Sequence, residues 1–118
     1  MDDNLVLPEI DEAESNARLD LANQILPDNI IKGDVWPTGE DWFKFDLTQP
    51  GTIIAQMDIG TGSADLKLYS PNETEIISKR VSEVGMIHHT TSDLGEYYLL
   101  IGDGSVNRLE YELIIDIV

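Results

Sequence analysis

After Pro27 the chain is written in short alternations. The runs "NIIKGDV", "DWFKFDL", "GTIIAQMDI", "ADLKLYS", "TEIISKR", "GMIHHTT", "GEYYLLIG" and "RLEYELIIDIV" are of strand length and rich in β-branched and aromatic residues. Turn-forming clusters separate them, among them "PTG", "QPG", "GTGS", "SPNE", "SDLG" and "GDGS". Such runs at spacings of ~8 to 12 residues predict an all-β fold, an antiparallel β-sandwich or barrel of about eight strands. No helix-length pattern alternates with them, which excludes a doubly wound parallel sheet.

The alternation also assigns faces, because successive strand residues point to opposite sides. Phe43 and Phe45 share one face, with Trp42, Lys44 and Asp46 on the other and Asp41 at the rim. Leu66 and Leu68 oppose Asp65, Lys67 and Tyr69, the half-buried pattern of a sheet with one wet face. Tyr97, Leu99 and Ile101 are the expected core of "GEYYLLIG".

The N-terminal part reads differently. Residues 1–11 are expected to be an acidic tail or linker, and residues 12–118 a single domain. From Ile10 onward, Ile10, Ala13, Ala17 and Leu21 fall at helical spacing, which suggests a short helix. The alternative is an extended segment that lies along a sheet and lends its acids to a site.

A chain of 118 residues suffices for one two-layer core, and 42% hydrophobic residues are enough to fill it. No apolar run approaches the ~18 to 20 residues of a membrane span. The balance of 23 acids against 7 bases, a formal charge of −16, opposes contact with phosphate backbones, so nucleic acid is not an expected partner. The same surplus fits either a solubilising shell or carboxylate clusters that hold hard cations. There are no cysteines, hence neither disulfides nor thiolate metal sites. "MDDNLVLPEIDE" lacks the basic start and apolar stretch of a secretory signal, so either the protein stays inside or this is a domain excised from a longer chain, and excision is the expectation.

Catalytic constellations are not expected. His88 and His89 are adjacent strand residues and point to opposite faces. "GTGS" and "GDGS" lack the Gly-Lys-Ser/Thr ending of a phosphate loop and read as hairpin loops. There is no Gly-x-Ser-x-Gly elbow, and a carboxylate pair drawn from 23 acids would carry no information. "NET" at Asn72 reads as an ordinary turn.

The order of these motifs resembles the bacterial pre-peptidase C-terminal domain, a family related to the collagen-binding domains of clostridial collagenases. The resemblance runs through "ESNARLDLANQI" (14–25), "IIKGDV" (30–35), "EDWFKFDL" (40–47), "GTIIAQMDI" (51–59), "SADLKLYSPN" (63–72), "LGEYYLLIGDG" (94–104) and "YELIIDI" (111–117). It implies a jelly-roll-like sandwich with no reaction of its own, secreted or at the cell surface. Such a module is attached in cis to a hydrolase catalytic domain, usually a protease, and assists secretion, docking or binding of a polymeric substrate. It further implies calcium, held by Glu14 and Asn16 of the Glu-x-Asn motif and by Asp41 before the aromatic strand. Glu12 joins them if the segment is extended, and Glu40 compensates for Gly39 where the family often has an acid. Without a metal, Asp41 is a rim residue that accepts main-chain hydrogen bonds in its turn. Trp36, Tyr69 and Tyr98 are the candidate aromatic surface for a protein or polysaccharide polymer. The alternative to this whole reading is a structural or cell-surface sandwich with an acidic shell and no ligand.

Overall fold

A computed structural model describes residues 9–11, 18–27, 29–36, 39–105 and 108–118. Its strands are β1 (Glu9–Asp11), β2 (Asn23–Gln24), β3 (Ile30–Val35), β4 (Glu40–Leu47), β5 (Gly51–Tyr69), β6 (Glu75–Thr91), β7 (Gly95–Gly102) and β8 (Leu109–Ile117). One 3₁₀ turn, Leu19–Leu21, precedes β2. The all-β expectation holds, but the strands are cut differently from the sequence runs. β5 and β6 each join two of the expected strands, with 19 and 17 residues.

The hydrogen-bonded order is β1-β3-β8-β5-β7-β4-β2, with β6 alongside β5. β5 pairs with β8 through residues 53–59 and with β7 through residues 65–69, so one strand belongs to two layers in turn. Layer A is β1-β3-β8 with the first half of β5 and the second half of β6; layer B is β2-β4-β7 with the remaining halves. The chain curls on this shared β5–β6 ribbon, and the two inner faces close over one core. β1 runs parallel to β3 and β2 parallel to β4, so the N-terminal segment edges both layers and the sandwich is mixed rather than wholly antiparallel.

"GTGS" is the device that lets β5 serve twice, and this corrects its reading as a hairpin loop. Ile53, Ala55, Met57 and Ile59 are buried at odd positions, whereas Ala64, Leu66 and Leu68 are buried at even ones. The register against β6 shifts between Asp58 and Ser63. This bulge, with Gly62 at φ 95°, changes the phase so that both halves face inward. "GDGS" is likewise no hairpin: β7 and β8 lie in different layers, and the segment carries the chain across. The two Gly-Ser segments are joined directly. Ser105 N donates to Ser63 O at 2.9 Å, and Ser63 N donates to Ser105 Oγ at 2.7 Å.

Phe43, Phe45, Leu66, Leu68, Tyr97, Leu99 and Ile101 are all buried, as their parity required. A fully buried side chain of this size contributes roughly 1.5–3 kcal/mol. Phe45 stacks on Tyr97 at 6.1 Å and 21°, and the Tyr97 hydroxyl donates to Asp93 O at 2.6 Å, which pins the β6–β7 connection to the core. "NET" does lie in a turn, the Ser70–Thr74 loop between β5 and β6, where Ser70 N donates to Thr74 O at 2.9 Å.

Of the two readings of residues 10–26, a short helix or an extended segment along a sheet, the described residues show mainly the second, with one 3₁₀ turn at Leu19–Leu21. Ile10 lies in β1, Arg18 is extended, and Leu21, expected on the apolar stripe, is 39% exposed. Parallel edge pairing outweighed a weak helical spacing there. His88 is exposed and His89 half-buried, on opposite sides of β6.

Candidate functional site

Asp41 opens β4 on the inner side of layer B, at the parity of Phe43 and Phe45. Its position at the rim does not leave it wet: it is 6% exposed, and its Oδ2 accepts the Tyr111 hydroxyl at 2.6 Å. Tyr111 belongs to β8 in layer A, so this hydrogen bond crosses the core and ties the layers together at one end. Phe43 packs edge-on against the Tyr111 ring at 6.5 Å. The partners of Asp41 thus include a side chain from the opposite layer. A tyrosine at the head of a core strand needs a partner for its hydroxyl, and that was the available signal in "YELIIDI".

Glu40 cannot join Asp41, because the two neighbours face opposite sides of β4. The Glu40 carboxylate accepts the Trp42 indole N–H at 3.1 Å on the outer face. Glu12, Glu14 and Asn16 lie outside the described residues. Among the described residues no three acids or imidazoles converge in a metal-holding group. Asp41, a buried carboxylate at a strand end, has the oxygen chemistry that suits calcium, and of the five expected ligands it is the described one so placed.

The outer face of layer B carries the aromatic residues. Tyr69 and Tyr98 are direct cross-strand neighbours on β5 and β7. Trp42 of β4 packs on Tyr69 with ring centroids 5.1 Å apart, and Leu100 lies between Trp42 and Lys67 in the adjoining row. Each tyrosine hydroxyl meets an acid: Tyr98 donates to Glu96 at 3.1 Å, and Tyr69 to Glu75 at 3.5 Å. Partial burial raises both phenol pKa values above the ordinary tyrosine value; Lys67 opposes this at Tyr69, and the neighbouring carboxylates reinforce it at both. Both hydroxyls therefore remain protonated donors at neutral pH. Lys67 pairs with Glu75 at 3.7 Å and Lys44 with Glu96 at 4.0 Å, framing the row.

Of the predicted aromatic residues, Tyr69 and Tyr98 come together. Trp36 is 55% exposed in the β3–β4 connection and stands off this sheet. Trp42, which parity had placed on the outer face, is the third member of the cluster.

The outer face of layer A is charged instead. A depression of about 1090 Å³ is lined by Lys32, Asp34, Asp58, Arg108, Glu110 and Glu112. Its cations are tied to its acids, with Arg108 2.6 Å from Asp34 and 3.0 Å from Glu110, and Lys32 4.0 Å from Glu112.

A scan against protein-family models and a search of the curated proteins return no match. Among solved structures, the chain is similar to the pre-peptidase C-terminal domain of a collagenase from Bacillus anthracis. The TM-score is 0.66 at 19% identity, over 80% of this chain and 94% of that one. It is also similar to PliG of Aeromonas hydrophila, a periplasmic inhibitor of g-type lysozyme, with a TM-score of 0.56 at 15% identity over 94% and 98% of the two chains. The chain therefore has the fold of a pre-peptidase C-terminal domain.

Proposed function

We propose that the chain is an accessory module of an exported hydrolase, a protease in the first place, without a reaction of its own. It docks on its catalytic domain in cis or holds a polymeric substrate. The observation that carries this reading is the half-buried pair Tyr69 and Tyr98, backed by the buried Trp42, on the outer face of a sandwich whose fold spans 94% of the collagenase domain's length. Side-by-side phenols offer flat apolar faces for an extended chain and protonated hydroxyls at their tips, so they bind a polymer with little loss of side-chain freedom. Export accords with the periplasmic neighbour.

The test is retention of the purified chain on insoluble collagen, chitin and cellulose. Retention on at least one, lost in Tyr98→Ala and Tyr69→Ala, is the expected result. No retention on any of the three sinks the polymer part of the reading and favours the alternative, a structural sandwich whose acidic shell serves solubility. The PliG likeness fits that alternative equally well.

Calcium belongs to the same proposal. Asp41 would be the strand-side ligand, with Glu12, Glu14 and Asn16 as the other half. That stretch is bracketed by β1 on the edge of β3 and by the extended Arg18 that leads to β2 on the edge of β4. A bound ion would neutralise the carboxylate that the fold buries beside Tyr111. Calorimetry tests it: calcium at 100 times its Kd should stabilise the fold by about 2.7 kcal/mol, and Asp41→Asn should abolish the response. An unchanged melting temperature in the parent chain refutes it.

A further inference from the structure

β6 lies at an edge of both layers. Among the described residues its only strand partner is β5, which leaves the other side of a 17-residue strand open. Open edges are templates for strand addition unless something blocks them. The two halves of β6 differ in this respect.

The first half is guarded. It contains Glu75, Lys79 and Arg80, and Lys79 sits opposite Leu66, at the inward parity, yet is exposed. A strand added there would bury that ammonium. Arg80 is held across the ribbon by Asp65 at 3.2 Å and by the Asp103 carbonyl at 2.7 Å.

Beyond Glu83, where the register shifts and φ is 66°, the second half of β6 is "VGMIHHTT", Val84–Thr91. These eight residues include no Lys, Arg, Asp, Glu or Pro, in a chain with a charge of −16. Val84 and Met86 are 59% and 48% exposed on its outer face, beside exposed His88 and Thr90.

We propose that Val84–Thr91 is a self-association edge, where two copies of this chain pair antiparallel and join their A layers into one continuous sheet. A two-fold interface must be complementary to itself. Centred on Ile87, the pairing sets Val84 against Thr90, Gly85 against His89 and Met86 against His88 of the second copy, with side chains on matching faces and no carboxylate opposite another. The other described edges do not allow this: β1 is "EID" and β2 is two residues long. Elsewhere the two acidic chains repel, so association strengthens as salt screens that repulsion.

Sedimentation velocity from micromolar to millimolar protein, at low and high sodium chloride, tests the proposal. A monomer–dimer equilibrium that tightens with salt is expected, with hydrogen exchange at the amides of 84–91 slowing as the dimer fills. Met86→Lys restores the guarding charge and weakens dimerisation by at least about tenfold. Leu26→Lys, on an exposed side chain of the β2–β3 connection, leaves it unchanged. Val84→Lys serves the same purpose should Met86→Lys not fold. A chain that stays monomeric at millimolar concentration in high salt overturns the proposal. So does a dimer that neither lysine variant weakens, or one that leaves the amides of 84–91 unprotected.

Discussion

On the outer face of layer B, Tyr69 and Tyr98 stand side by side with Trp42 against them; on the outer face of layer A, the same strand β5 presents Asp58, next to Glu112. Both faces are framed by ion pairs between neighbouring strands, yet one carries half-buried tyrosine rings beside a buried Trp42 and the other exposes charge. Backbone pairing is the same in both layers, so the difference lies in which side chains the two phases of β5 turn outward. Layer B thus carries the aromatic face and layer A the charged one, and the Asp41–Tyr111 hydrogen bond connects the two.

The largest expected effect comes from cutting that connection. Asp41→Ala leaves the Tyr111 hydroxyl in the core without its 2.6 Å acceptor and should destabilise the fold by about 2–3 kcal/mol in urea titrations. A loss below about 0.5 kcal/mol would mean the layers hold together without it.

On layer B, Tyr98→Ala should weaken polymer retention about tenfold, the size of a single aromatic anchor, while Asp58→Asn on layer A leaves retention unchanged. Equal effects from both variants would erase the distinction between the faces.

Asp58→Asn should instead raise stability by about 0.2–0.5 kcal/mol, because Asp58 and Glu112 are like charges directly opposite across two strands. The gain should shrink in high salt, where such repulsion is screened.

The smallest effect is alkaline. The pKa values of Tyr69 and Tyr98 are raised in the folded state, so that state holds its phenolic protons to higher pH than the unfolded chain does. Stability from these groups is complete below the ordinary tyrosine pKa of 10.0 and is lost as pH rises through the folded values. Tyrosinate absorbance should show two late-titrating phenols that disappear in the Tyr69→Phe, Tyr98→Phe double variant.

Much of this was legible in the chain. Parity alone put Phe43, Phe45, Leu66, Leu68, Tyr97, Leu99 and Ile101 inside, because a period of two with one wet face leaves no other choice. The exchange from odd to even buried positions across "GTGS" was also written there, although turn residues made it look like a loop. The N-terminal stretch is compatible in sequence with either a short helix or an extended segment, because its pairing partners, β3 and β4, are distant in sequence. Asp41 stands out in the sequence as an acid before an aromatic run, and alternation turns its neighbour Glu40 to the opposite side of β4.

By itself the sequence determined the all-β class, the core faces, the acidic shell and the tyrosines that face outward, since each follows from local periodicity and composition. Only the tertiary structure decided that Asp41 meets Tyr111, 70 residues away, that Tyr69 stands beside Tyr98 with Trp42, and that half of β6 is an open, uncharged edge. Those are statements about which strands become neighbours. Strand order depends on how one long ribbon bends to close two layers over a shared core, a property of the whole chain that no short stretch contains.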